Sequence, residues 1–217
     1  MSLPVTDRTR LHRLPERGRF DRADIDAILD EALHCHLGIA TDDGPVVIPT
    51  IHARVGDEVV VHGSPASRLL RTMKRGRPVC LTATIVDALV VARSAFHHSL
   101  NYRSVVVFGE ATEITEPSAK RTALDALVDH VLPGRASEAR PPTEQELRAT
   151  TVLTLPLTEA SAKVRTGMPV DEDDDLALPI WAGIVPLRTV AGEPEVEPQL
   201  DPTVATPTSV RAVVDAR

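Results

Sequence analysis

"HGSPASRLLRTMKRG", residues 62–76, is the stretch on which the reading of this chain turns. It follows "DEVVV" (57–61) and precedes "PVCLTATIVDALVV" (78–91). Both flanks are rich in β-branched residues and read as strands. The segment between them is therefore a small-residue turn and a short helix inserted into a sheet. Ser64 is placed to cap that helix and Pro65 occupies its first position, with the end near Gly76. Arg68, Arg71 and Arg75 share one side by their three- and four-residue spacings, and Lys74 adds a further charge. Two readings stand. The helix is a connector with a solvated basic face, or it is an anion clamp. In the second reading its unpaired N–H groups, the Ser64 and Ser67 hydroxyls and these cations hold a phosphate.

Working outward, Asp21 and Asp24 open a helix that runs to about Leu33, with Ile25, Ile28, Leu29 and Leu33 on one side. "HCHLGIAT" (34–41) and "VVIPTIHAR" (46–54) read as paired strands around the "DDGP" turn, and Pro49 marks the second as an edge or bulged strand. "VVVHG" (59–63) is a third strand. Residues 77–93 are two strands, or one strand bent near Asp87; 94–102 is a loop; 103–115 is a long strand with Gly109 as a bulge. A helix covers 116–132, and a proline-rich loop covers 133–142. Thr143 and Glu146 match a capping box, and strands follow at 150–157 and 160–167. An acidic loop (170–175) leads to a last apolar element, 178–187. The expected fold is mainly β with inserted helices, a barrel of about six antiparallel strands. The expected organisation is an N-terminal arm (1–19), one domain (20–187) and an acidic, proline-rich tail (188–217) that hugs the surface or stays partly unfolded.

Composition narrows the function. The chain has 217 residues, enough for one sizeable core. Aromatics are 2% and the net charge is −7, which speak against a nucleic-acid partner read by stacking or by overall charge. Cys35 and Cys80 each sit alone in an apolar segment, with no CxxC pair or histidine cluster to suggest zinc, so no metal is expected. No stretch has the length or character of a signal peptide or membrane span, and the chain reads as cytoplasmic with no membrane partner.

A second polar cluster, "HHSLNYRS" (97–104), precedes an apolar strand and gathers His97, His98, Asn101, Tyr102 and Arg103. It reads either as ligand groups on a strand-leading loop or as a polar barrel end plugged by Tyr102. Trp181 in "LPIWAGIVPL" is a core or interface anchor, or a shelf for a planar ligand. Lys163 and Arg165 alternate with Val164, so both face away from the core. No nucleophile elbow, Walker loop or dinucleotide fingerprint is present. An enzyme of this sequence would draw its reactivity from a cofactor.

Taken in order, "VVIPTIHARVGDEVVVHGSPASRLLRTMKRGRPVCLTAT", "HHSLNYRSVVVFGEATEIT", "SAKVRTGMPVD" and "WAGIVPL" resemble the pyridoxamine 5′-phosphate oxidase-related flavoproteins. The likeness is greatest to their nitroimidazole-resistance-like, flavin-nucleotide-binding branch, and it runs from about Phe20 to Leu187. It implies an FMN-binding split β-barrel, a homodimer with flavin in the cleft, and a small-molecule substrate. The implied cofactor residues are His62, Gly63, Ser64, Lys74, Asn101, Arg103 and Trp181, beside Ser67, Arg68 and Arg71 from the helix itself. His98 is the expected proton donor. The implied activity passes electrons from a reduced nicotinamide through FMN to a small electron-poor substrate, a nitroaromatic among them. The alternative is a non-catalytic flavin-, deazaflavin- or haem-binding protein, with His97 and His98 facing the haem. The tail lacks the arginine-rich end of the vitamin-B6 oxidases, which argues against that activity.

Overall fold

The computed structural model describes residues 1–215. A one-turn 3-10 helix (Pro15–Arg17) leads into β1 (Gly18–Arg19), α1 (Arg22–Glu31), β2 (Cys35–Thr41), β3 (Gly44–Thr50), β4 (His52–Val55) and β5 (Glu58–Gly63). Then come α2 (Arg68–Met73), β6 (Pro78–Val91), β7 (Ser99–Glu110), β8 (Thr112–Glu113) and α3 (Pro117–Val131). The chain continues through α4 (Arg135–Glu138), α5 (Glu144–Arg148), β9 (Thr151–Pro156), β10 (Ala160–Arg165), β11 (Gly183–Pro186) and α6 (Thr208–Asp215).

Two antiparallel sheets form an unclosed, split barrel. The larger runs β1-β10-β7-β6-β2-β3, with β11 pairing the far half of β6; the smaller runs β4-β5-β9-β8. Residues 46–54 are not one strand: they break at Ile51, where the chain leaves the first sheet and enters the second. Pro49 lies in β3, an edge strand, the position in a sheet where proline is tolerated. The β4–β5 hairpin turns at Gly56, whose φ of +59° favours glycine.

Alternation assigns the faces. Val59 and Val61 join Leu37, Leu81, Val105, Val107 and Leu153 in the core between the sheets. Val60 and Val152 point the other way, onto Ala123 and Leu127 of α3, in a second, smaller core. The helix α1 buries Ile25, Ile28 and Leu29 against the first core and stops at Glu31, so Leu33 lies beyond it and is exposed.

Residues 78–91 form one strand with its irregularity between Val86 and Ala88, at the expected bend. The strand β7 starts at Ser99, so part of the expected 94–102 loop is sheet. Its polar residues conceal this from composition, but they pair with Val86–Val90. Gly109 stays in register with Val79 and is not a bulge. In the last apolar element only Gly183–Pro186 is strand. The N-terminal residues are tied down: Leu3 N donates to Phe20 O (2.8 Å), and Arg8 pairs with Glu159. The tail also returns. Ser209 donates from N (3.2 Å) and Oγ (2.5 Å) to the Glu138 carboxylate, docking α6 on α4. Ala216 and Arg217 of the expected tail lie outside the described residues.

Candidate functional site

The turn after β5 is the first element. Gly63 ends β5 opposite Thr151, on the face where α2 returns. A Cβ there would stand 2.8 Å from Leu70 Cδ1, so the helix comes closest where a side chain is missing. The helix begins later than the sequence suggests. Ser67, not Ser64, is its N-cap, accepting from Leu70 N at 3.4 Å. Ser64 instead closes a turn: Ser67 N donates to its carbonyl (2.9 Å) and Ala66 N to its hydroxyl (3.2 Å). Pro65 sits in that turn.

The cations of this segment divide. Arg68 lies 3.3 Å from Asp43 Oδ2, with both groups exposed. Lys74 Nζ sits 2.6 Å from Glu113 Oε2. Arg71 and Arg75 are exposed and have no side-chain partner among the described residues. An anion arriving here meets two free guanidinium groups and one loosely held.

His62 faces elsewhere. Alternation turns it to the Val60 side, toward α3, and it borders a cavity of about 650 Å³. That volume lies within the range of small-molecule and cofactor pockets, roughly 300–1,000 Å³. The walls are apolar, from Ile51, Leu127, Val128 and Val131 to Ala136 and Ala139. Asp125, Arg135, Arg140 and Glu146 supply charge among the lining residues. Arg140 is forked onto Glu146 (2.7 and 3.0 Å), which holds the Glu146 carboxyl down at about 2. Neither ring nitrogen of His62 has a partner among the described residues, and Nδ1 is sealed from solvent. Burial pushes the His62 pKa down and favours the neutral ring, the form that ligates a metal. An apolar slot edged by a neutral, unpartnered imidazole fits a haem. The described residues contain no group of three or more His, Cys, Asp or Glu that could hold a bare metal ion.

The remaining expected residues lie at the other end of the β6–β7 hairpin. Arg103 is forked onto Asp87 (Nη2–Oδ1 2.7 Å) and Glu31 (Nη2–Oε1 2.7 Å), tying β7 to β6 and α1. Its N–H groups are engaged in this ion pair. Asn101 is buried, donating Nδ2 to Gly167 O (3.1 Å) and accepting from Arg165. His98 Nδ1 bonds Ser94 O (3.0 Å), and His97 Nε2 lies 3.3 Å from Glu172. His98 is thus held within its own loop, and His97 reaches across to the acidic 170–175 loop. Trp181 is 64% exposed and stacks over Gly183.

These groups do not converge with the 62–75 turn inside one chain. Glu110 ends β7 beside Gly76, and Tyr102 is eight strand residues away, about 26 Å. Sequence reasoning missed the cavity altogether, because α3, α4, α5 and Ile51 build it from distant segments. The one available signal was the alternation that places His62 with Val60.

The sequence profile of the pyridoxamine 5′-phosphate oxidase family matches residues 21–164. Two solved structures match over most of both chains. A flavocytochrome from Azotobacter vinelandii is 38% identical, with a TM-score of 0.90, covering 96% of this chain and 97% of its own. An FAD and haem binding protein from Mycobacterium smegmatis is 40% identical, with a TM-score of 0.87, covering 91% and 97%. A candidate 5-nitroimidazole resistance protein from Bacteroides thetaiotaomicron is 23% identical with a TM-score of 0.59, over 68% and 86%, a likeness of fold alone. No curated protein matches the chain. No helix among the described residues is long and apolar enough to cross a membrane.

Proposed function

The chain belongs to the pyridoxamine 5′-phosphate oxidase family, and we propose that it is a flavin- and haem-carrying redox protein that works as a homodimer. His62 carries the reading. One residue separates the turn that suits a flavin phosphate from the apolar cavity that suits a haem, and the His62 ring nitrogens have no partner among the described residues. When bound, the two groups would supply electron transfer that no side chain of this protein provides.

The chain's own residues would bind and orient. His62 would ligate the haem iron, and burial keeps that ring unprotonated for the purpose. Arg135 and Arg140 are placed for the haem propionates, exchanging their present glutamate partners. Arg71 and Arg75 would meet flavin phosphates. FMN is the expectation from the sequence resemblance, whereas the Mycobacterium smegmatis relative is described as an FAD protein and favours FAD. The electron donor is proposed to be a reduced nicotinamide, and the acceptor a small electron-poor molecule.

The homodimer reading rests on exposed apolar side chains at the hairpin end: Phe96 at 88%, Met168 at 64% and Trp181 at 64% exposure. A second copy would cover them and bring that end toward a partner's 62–75 turn.

The test is spectroscopic. Protein purified with both cofactors is expected to show flavin bands and a Soret band, with a dimeric mass. His62→Ala should lose the Soret band and keep the flavin; Arg71→Gln with Arg75→Gln should lose flavin and keep haem. A chain that takes up neither cofactor, or a His62→Ala variant with an unchanged haem spectrum, refutes the assignment.

A further inference from the structure

The half-buried arginines of this protein are neutralised by acids. Arg22 meets Asp26 and Asp57, Arg54 meets Asp30, Arg93 meets Asp171, and Arg103 meets Glu31 and Asp87. Arg165 breaks the pattern. It is the one arginine in the buried class among the described residues, 7% exposed, and it has no carboxylate partner. Burying a guanidinium without a counter-charge is costly.

Its one protein acceptor is the Asn101 side-chain oxygen. Asn101 donates its Nδ2 to the Gly167 carbonyl, which turns its oxygen toward the guanidinium and holds the fork in place. The other guanidinium N–H groups have no acceptor among the described residues, and no nitrogen of Arg165 is both unpaired and sealed from solvent. The free part of the fork is therefore not wholly sealed from solvent. Tyr102 stands directly opposite Arg165 across the β7–β10 pair, so both side chains lie on one face, and its phenol is unpartnered among the described residues. The neighbouring charge is of the same sign. Arg17, whose one acid partner among the described residues is Glu16 at 4.0 Å, lies near enough to disfavour charge on Arg165. Two cations, an amide that orients one of them and a free phenol are neighbours here, with no acid paired to Arg165 among the described residues, in a chain of net charge −7.

We propose that Arg165, with Arg17 and Tyr102, forms a binding site for a small oxyanion, a phosphoryl or carboxylate group taken on the guanidinium fork. The planar fork suits two-point binding of such a group, which a lysine cannot reproduce. Within one chain the site lies at the far end of β7 from the 62–75 turn, and it stands without the cofactor reading above.

The experiment is calorimetric titration of the full chain, as purified and dialysed into chloride, with inorganic phosphate and separately with acetate. Wild type is expected to give saturable one-site binding for at least one of them. Arg165→Lys, which keeps the charge and loses the fork, should weaken it at least tenfold, and Arg17→Gln should weaken it several-fold. Arg165→Gln should abolish it, with circular dichroism checking its fold. If FMN displaces the phosphate and riboflavin does not, the oxyanion is a cofactor phosphate from a second copy; if neither displaces it, the ligand is a free anion. Both results support the site. Wild type that binds neither anion overturns it, as does a folded Arg165→Lys that binds as wild type does. Flavin content, measured on the same samples, reports on the cofactor reading independently.

Discussion

His52 gives the sharpest stability prediction. It is fully buried, at 0% exposure, and its Nε2 donates to the Leu29 carbonyl at 2.9 Å. That bond requires the proton on Nε2, leaving Nδ1 as a bare, buried acceptor with no partner among the described residues. A second proton has nowhere favourable to go. The His130 ring lies 4.7 Å away, His34 adds repulsion, and only Asp30 offers a compensating charge. Burial first, then the repulsion from His130, pushes the His52 pKa from 6.5 down to about 4. The folded state thus favours the neutral ring. Its contribution is complete above pH 6.5 and is lost as pH falls through the folded value. The loss totals about 3 kcal/mol, accumulating at about 1.4 kcal/mol per pH unit inside the window. The lowered carboxylates Glu31 and Glu146 act in the same direction but below their ordinary value of 4.5, outside most of that window. The assay is urea unfolding from pH 8 to 4.5 on wild type and His52→Phe, which fills the site but cannot titrate. Wild type should lose stability steeply below pH 6.5, and the variant should lose less by about 2 kcal/mol at pH 4.5–5. Parallel curves would refute the reasoning.

Leu81→Ala, at the centre of the core and fully buried, should cost about 2–5 kcal/mol in the same unfolding assay. Thr143→Ala removes half of the capping box that starts α5 and should cost about 1 kcal/mol. Arg103→Gln should lower stability by about 2 kcal/mol by stranding Asp87 and Glu31, while leaving flavin affinity within twofold, as read by fluorescence titration. Cys35 is fully buried and its thiol is pushed up to about 12, so a disulfide reagent at pH 8 should modify at most one thiol per native chain and two in urea.

The fold was largely legible because its signals are local. Valine runs marked the strands, Pro49 marked an edge, and Asp87 marked the bend in β6. Legibility failed where a residue's role depends on what lies across the sheet. Arg103 looks like a ligand arginine at a strand start. Nothing local says that Asp87, at the irregularity of β6, reaches it from two residues along the β6–β7 pair, or that α1 delivers Glu31. Lys74 likewise looks free until the short strand β8 brings Glu113 beside it. Ser64 and Pro65 match the pattern of a helix start, yet the chain spends them on a turn and begins the helix at Arg68, where Leu70 fits against Gly63. Arg165 shows the converse. Its alternation with Val164 correctly put it outside the core, but an outward-facing residue is not always an exposed one.

The docking of α6 on α4 bears on how the molecule is made. Ala136 and Ala139 of the cavity wall flank Glu138, the residue that Ser209 grips from 71 positions further along the chain. During synthesis every strand of both sheets is complete once Pro186 has emerged, while this wall still lacks its clasp. There is thus an interval in which the barrel is finished and the cavity beside His62 is still loosely bounded. A bulky, rigid ligand could enter in that interval without prying open a finished wall, and the arrival of α6 would then fasten the door behind it.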